Sequence, residues 1–291
     1  MDEIRRIGLV ANPEKSAAAP LLRQAAELTR ATGREFIAEA NAAQMAELSV
    51  PSCKGVRELA AHCDLIVVLG GDGTMLGVAR SLAGSKTPIL GLNIGGLGFL
   101  TGAPASEMSA TFDCLWRGEY EIDERALIHA KGVASGNPFD QLALNDFVIS
   151  RGAASRLIEL EVLVDGEPLT HYRCDGLIVC TPTGSTAYSL AAGGAVMSPD
   201  AQALTITPVC PHTLSNRSVI VSMDAIIEVK TLSERLEVFL SADGQVQMPL
   251  ATGDVVRIRK SAESIRLVRL PGSSFFKTLR NKLNWSGSSV K

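Results

Sequence analysis

One carboxylate stands inside a glycine turn. Gly70-Gly71-Asp72-Gly73-Thr74 follows the apolar run Leu65 to Leu69 and precedes a helix-like stretch beginning at Met75. Glycine takes φ > 0 and leaves room for a phosphate against peptide N–H groups. An aspartate in such a place would repel the anion. It makes sense if its carboxylate faces something else, such as a hydroxyl about to lose its proton or a metal ion. Helix capping is the structural alternative for Asp72. The turn is not a Walker A loop, because GxxxxGK[ST] and its lysine are missing. It is not a Rossmann fingerprint either: no glycine follows Gly71-Asp72-Gly73 at the third place on, and Gly96-Leu97-Gly98 has Thr101 where the last glycine would stand.

A second stretch is dense in small hydroxyls. The strand-like Gly176 to Cys180 runs into Thr181-Pro182-Thr183-Gly184-Ser185-Thr186-Ala187-Tyr188-Ser189 and a helix start. Helix N-termini with free N–H groups and hydroxyls suit anionic or sugar ligands. A serine or threonine cap accounts for one of these residues but not for all. No Gly-x-Ser-x-Gly elbow is present. Asn145-Asp146 is a polar pair within the apolar Leu142 to Ser150, either a β-bulge or strand end or a ligand contact. His212 reads as a hydrogen-bonded structural residue, and Arg5, Arg6, Arg257 and Lys260 as solvated charges.

Strand and helix patterns alternate over the first hundred residues to position the glycine turn. Ile7 to Ala11, Glu35 to Ala38, Leu65 to Leu69 and Ile89 to Leu92 read as strands; Ala17 to Ala31, Val56 to His62 and Met75 to Leu82 read as helices. Continuous apolar strands separated by helices predict a parallel sheet covered on both faces. Ligands of such sheets bind beyond the carboxyl ends of the strands, where both the glycine turn and Asn93 to Phe99 fall. After about Ala105 the character changes. From Arg125 to Val268 most segments read as strands: Ala126 to Lys131, Leu142 to Ser150, Leu157 to Val164, Gly176 to Cys180, Val219 to Val221, Ala225 to Val229, Arg235 to Leu240, Val255 to Arg259 and Ile265 to Val268. Asp165-Gly166 and Asp243-Gly244 read as turns, and one helix-like insert, Ser185 to Ala192, breaks the series. Phe275 to Leu283 has helical spacing. The expected architecture is an α/β N-terminal domain with a parallel sheet (1–105), a mainly β second domain (106–271), and a C-terminal helix (within 272–291) packing back on the first.

Composition narrows the classes. The net charge of −3, from 28 basic and 31 acidic residues, argues against a general nucleic-acid or membrane-surface binder. No apolar run approaches the ~20 residues of a membrane span. The six cysteines form no CxxC pair and lie mostly in apolar runs, as free thiols in a reducing cytoplasm do. Four isolated histidines give no zinc-site pattern.

Taken together, Gly70 to Thr74, Asn145-Asp146, Asp175 with Thr181 to Ser189, Pro211-His212-Thr213-Leu214-Ser215 and the tail Lys282-Leu283-Asn284-Trp285 resemble the bacterial-type NAD kinases over nearly the whole chain. The resemblance implies transfer of the γ-phosphoryl of ATP to the 2′-hydroxyl of the adenosine ribose of NAD. It implies that Asp72 is the proton acceptor and that Gly73 lies against the nucleotide. It places Asn145 and Asp146 on the adenosine half, where many relatives have glutamate for Asp146. Arg173 and Asp175 match positions near the nicotinamide half; Thr186, Ala187, Tyr188, Ser189, Leu190 and Ala191 match the segment lining the dinucleotide site. Arg156 and Gln245 match more variable binding positions. A divalent cation, Mg²⁺ with ATP, is the implied cofactor, with no protein ligand set marked. With no P-loop lysine, the ATP phosphates are expected to rely on backbone N–H groups and Mg²⁺. Relatives are homodimers or homotetramers whose site draws on a neighbouring subunit. The rival readings are a diacylglycerol- or sphingosine-type lipid kinase, which shares the glycine turn, and a non-catalytic NAD(P)-binding sensor.

Overall fold

The computed structural model describes residues 3–96, 98–153, 156–213, 215–234 and 236–285. The chain divides into two units, Met1–Glu124 with Ser264–Lys291, and Arg125–Glu263.

The first unit contains β1 (Arg6–Ala11), α1 (Ala18–Ala31), β2 (Glu35–Glu39), α2 (Ala40–Met45), β3 (Ser52–Cys53), α3 (Val56–Ala60), β4 (Leu65–Gly70), α4 (Asp72–Ser81), β5 (Ile89–Asn93), β6 (Ala103–Pro104) and α5 (Met108–Trp116). The strands pair in parallel in the order β3-β2-β1-β4-β5, with Ile7 opposite both Phe36 and Leu65, and Ile66 opposite Ile89. Every residue of β4 is buried, as the uninterrupted apolar run predicts for a strand covered on both faces. α1 buries Ala18, Leu22, Ala25, Ala26 and Thr29, a stripe at helical spacing. The order turns round between β1 and β4, so the segments leaving these two strands diverge and leave a crevice at their carboxyl ends.

The boundaries differ from the expected 105/106 and 271/272. Met108, Phe112 and Leu115 of α5 join Leu22 and Leu92 in the first unit's core, which keeps residues 106–124 in that unit. The tail returns as expected. α7 (Phe275–Leu283) is capped by Ser274, whose Oγ accepts the Lys277 N–H; it sets Phe275 6.1 Å from Phe99 and the Lys282 ammonium over the Phe99 ring.

The second unit is mainly β. It holds β8 (Asn137–Ala143), β9 (Asp146–Arg151), β10 (Ile158–Val164), β11 (Glu167–Cys174), β12 (Gly176–Cys180), β13 (Ala203–Val209), β14 (Val219–Ser222), β15 (Ile227–Thr231), β16 (Val238–Ala242) and β17 (Val246–Leu250), with most of β7 (Glu121–Ala134) and of β18 (Val255–Arg269), whose outer ends belong to the first unit. Its one α-helix among the described residues, α6 (Tyr188–Ala191), follows a 3₁₀ turn at Thr183–Thr186, where a single helix over 185–192 was expected. One antiparallel sheet runs β14-β13-β12-β9-β16-β17; the other carries β11-β10-β15-β18 with β7 and β8. Phe147, Leu177 and Val179 meet Leu160, Val162, Ile227 and Ile258 in a single apolar core. Both expected turns are present, with positive φ at Asp165 and Gly166 in the two-residue loop between β10 and β11, and at Asp243 and Gly244 in the three-residue loop between β16 and β17. The expected strand over 142–150 is broken: Leu144 and Asn145 form a turn between β8 and β9, so the polar pair marks a strand end.

Candidate active site

In the first unit, α4 begins at Asp72, three residues before the expected start, and its cap residue is Gly71 with no side-chain cap. Asp72 is therefore not the cap. Its carboxylate reaches to the loop after β5, where it accepts the Phe99 N–H at Oδ2 (2.9 Å) and the Leu100 N–H at Oδ1 (3.1 Å). A carboxylate has roughly four lone-pair sites, so acceptor capacity remains for a hydroxyl. Asp72 is half-buried, Gly73 exposed.

That second loop is itself fixed. Buried Asn93 accepts the Gly95 N–H (2.7 Å) and donates to the Gly96 carbonyl, while Thr101 Oγ accepts the Gly98 N–H (3.2 Å). The Ile94 N–H donates to the Gly70 carbonyl at 3.2 Å and ties the two glycine loops together. Two glycines here are steric requirements. A Cβ at Gly98 would stand 1.9 Å from Asp72 Oδ1, and one at Gly70 would stand 2.4 Å from Thr74 Oγ. Sequence reasoning marked Asn93 to Phe99 as a strand-end loop but missed the roles of Asn93, Thr101 and the Phe99 and Leu100 amides.

In the second unit, the ends of β9 and β12 bring several expected residues together. Cys180 pairs with Asp146, and the Thr181 N–H donates to the Asn145 carbonyl at 2.9 Å. Thr181 Oγ donates to the Leu144 carbonyl (2.6 Å) and accepts the Gly184 N–H (3.0 Å). A Cβ at Gly184 would lie 2.1 Å from the Asn145 carbonyl oxygen, so the hydroxyl-rich turn packs directly on the Asn145 turn. The carboxylate of buried Asp243 accepts three successive N–H groups, from Leu144 (3.1 Å), Asn145 (2.7 Å) and Asp146 (3.3 Å). Gln245 is exposed on the same hairpin turn. Burial, reinforced by the charge of Asp243, pushes the Asp146 carboxyl up to about 7.

The hydroxyls of the turn divide into two sets. Ser185 and Ser189 are fully buried: Ser185 Oγ is engaged with Pro182 and Met197, and Ser189 Oγ with Thr207 at 3.2 Å. Thr186, Ala187 and Leu190 are half-buried, while Tyr188 and Ala191 are exposed. The remaining expected residues are elsewhere. Asp175 precedes β12, at the opposite end from Thr181 and roughly 20 Å along the strand, where it pairs with Arg151 at 2.6 Å. Arg173 pairs with Glu159 at 3.1 Å and Arg156 is exposed in the β9–β10 loop. His212 is exposed and its N–H donates to the Arg173 carbonyl. Leu214 lies outside the described residues. Among the described residues there is no group of three or more His, Cys, Asp or Glu arranged to hold a metal ion.

Known proteins match this arrangement from end to end. The model of the ATP-NAD kinase N-terminal domain matches residues 7–120, and that of the ATP-NAD kinase C-terminal domain matches residues 144–270. The NAD kinase of Syntrophotalea carbinolica is 41% identical over 284 residues, covering 97% of this chain and 99% of its own. That of Paraburkholderia phytofirmans is 39% identical over 287 residues, 98% of this chain and 95% of its own. Yeast NADH kinase complexed with NADH superposes with a TM-score of 0.88 at 26% identity, covering all of this chain and 90% of that one. An NAD kinase from Archaeoglobus fulgidus in complex with ATP superposes with a TM-score of 0.76 at 27% identity, covering 97% of this chain and all of that one. The chain belongs to the NAD kinase family.

Proposed function

We propose that this chain phosphorylates NAD to NADP, moving the γ-phosphoryl group of ATP onto the 2′-hydroxyl of the adenosine ribose with Asp72 as general base. The observation that carries the reading is the Asp72 carboxylate, held by two backbone N–H groups at the N-terminus of α4 with lone pairs to spare. The ribose oxygen forms its bond to the γ-phosphorus as the bond from phosphorus to the ADP oxygen breaks, and the hydroxyl proton passes to Asp72. A carboxylate is too weak a base to form the alkoxide beforehand, so it takes the proton as the O–P bond develops, which typically contributes ~10²–10⁴-fold. The transition state is loose, so positioning and charge neutralisation supply much of the remainder. Mg²⁺ enters as the complex of ATP, bound chiefly by the triphosphate.

Recognition of the adenosine half falls to Asn145 and Asp146, with Gln245 on the neighbouring hairpin turn. Thr186, Ala187, Tyr188, Leu190 and Ala191 offer the surface that lines the dinucleotide, Tyr188 with an exposed ring. Asp175 precedes β12 at its far end from Thr181, Arg173 stands two residues earlier on β11, and Arg156 follows the far end of β9 from Asp146; we assign all three to the site of a neighbouring subunit in a homo-oligomer. Among the described residues no helix is long and apolar enough to cross a membrane, and six free thiols suit a reducing cytoplasm. The decisive test incubates the protein with ATP, Mg²⁺ and NAD and reads NADP. Formation of NADP is the expected result; its absence, with NAD still bound, would favour a dinucleotide sensor.

A further inference from the structure

The missing P-loop lysine has a counterpart elsewhere in the fold. Lys15 lies four residues past the end of β1, on the other lip of the crevice from the turn after β4. Its ammonium nitrogen stands 3.9 Å from where a Cβ of Gly71 would be and 4.0 Å from that of Gly95. It is thus beside both glycine loops at once, at the point where the strand order turns round. Lys15 is half-buried, and its ammonium makes no ion pair or hydrogen bond with any described residue. The nearby acidic groups are otherwise disposed: Asp72 is engaged with the Phe99 and Leu100 amides, and Glu14 is exposed. A lysine that forgoes a carboxylate partner while sitting half-buried against glycine backbone and the uncapped N-terminus of a ten-residue helix is placed for a polyanion.

On the NAD kinase reading, we infer that Lys15 is the cation that binds the β- and γ-phosphate oxygens of the ATP donor. Lysine acts here as a compact point charge on phosphate. The ammonium neutralises charge on the leaving ADP oxygen as the bond to the γ-phosphorus breaks, while Asp72 receives the proton on the acceptor side. Glycine at 71 and 95 then has a stated purpose, since a side chain at either place would fill the space beside the ammonium. Lys15 serves the fold through its backbone, which accepts the Ala18 N–H at 2.9 Å, and among the described residues no hydrogen bond or ion pair uses its ammonium, so replacement of the side chain leaves the fold intact.

Binding of Mg²⁺·ATP, of AMP and of NAD to Lys15→Met and Lys15→Arg, with steady-state kinetics and thermal midpoints, tests the assignment. In Lys15→Met we expect the Kd for Mg²⁺·ATP and the KM for ATP to rise about tenfold or more, with AMP and NAD affinity and the midpoint unchanged. Lys15→Arg should recover most of the lost ATP affinity. ATP affinity and kcat within about twofold of the unsubstituted protein would overturn the inference. So would a loss confined to NAD, which would assign the ammonium to the dinucleotide pyrophosphate instead. Failure of the unsubstituted chain to make NADP refutes the kinase reading, whereas normal turnover by both variants refutes Lys15 alone.

Discussion

Asp72 and Asp243 are both carboxylates that accept backbone N–H groups at the ends of strands, one in each unit, yet they are built for different ends. Asp243 is buried and accepts three consecutive amides, those of Leu144, Asn145 and Asp146, which fixes a turn. Asp72 is half-buried and accepts two amides among the described residues. The same interaction yields a scaffold where the carboxylate is enclosed, and, on the proposed mechanism, a general base where it is oriented with acceptor capacity left over. The direction of dependence also reverses. In the second unit the carboxylate positions the loop; in the first the loop positions the carboxylate.

This contrast can be broken most severely at Asp243. Asp243→Ala strands three amide N–H groups in the interior, and charge-assisted hydrogen bonds of this kind contribute about 1.5–3 kcal/mol each in favourable cases. We expect at least ~3 kcal/mol of destabilisation, read as a fall in the denaturant midpoint, together with weaker NAD binding by calorimetry. Stability within ~0.5 kcal/mol of the parent, the range of an ordinary surface change, would remove its role as scaffold. Next in size is Gly98→Ala. Its methyl would overlap Asp72 Oδ1 and displace the carboxylate from the Phe99 and Leu100 amides. A loss of kcat by about 10²-fold is expected from misplacement of this kind, with the Kd for NAD preserved; equal losses in both would show that the loop serves binding as well.

The gentlest probe is pH. The Asp146 carboxyl is pushed up to about 7 from the ordinary aspartate value, first by burial and then by Asp243. The folded state therefore holds this proton more tightly than the unfolded chain. Its contribution to stability is fully present below the unfolded value and is lost as pH rises through about 7. Denaturant midpoints between pH 5 and 8 should fall with rising pH for the parent and lose that component of the slope in Asp146→Asn. A parent midpoint that rises over this window, or an unchanged slope in the variant, would contradict the assignment.

What could be read from the sequence was local, and what could not was long-range or carried by the backbone. The glycine turn, its strand and the hairpins at Asp165-Gly166 and Asp243-Gly244 declare themselves through neighbouring residue types. The contacts that hold Asp72 span 27 and 28 residues and use peptide N–H groups, which every residue but proline offers. β11 and β17 escaped notice because each is an edge strand containing proline, Pro168 and Pro249, tolerated where one side is unpaired. β13 hid behind Thr205 and Thr207, polar residues that are buried with their hydroxyls satisfied. β18 reads as two strands in the sequence because its middle, Lys260 to Ser264, is mostly polar. Composition places the domain boundary near Ala105, where the change toward strands begins, although α5 still belongs to the first core. Lys15 carried no signal at all, since a lysine after a strand is ordinary until the fold sets it beside two glycine loops.

On the proposed mechanism Asp72 acts on the transferred proton rather than on affinity. The direct measurement is kcat and the calorimetric Kd for NAD on one preparation of Asp72→Asn, whose amide keeps the shape but accepts no proton. The predicted result is a kcat lowered by about 10²–10⁴-fold with NAD affinity unchanged. Turnover within about twofold of the parent, or a Kd that rises in step with the loss of kcat, would contradict it.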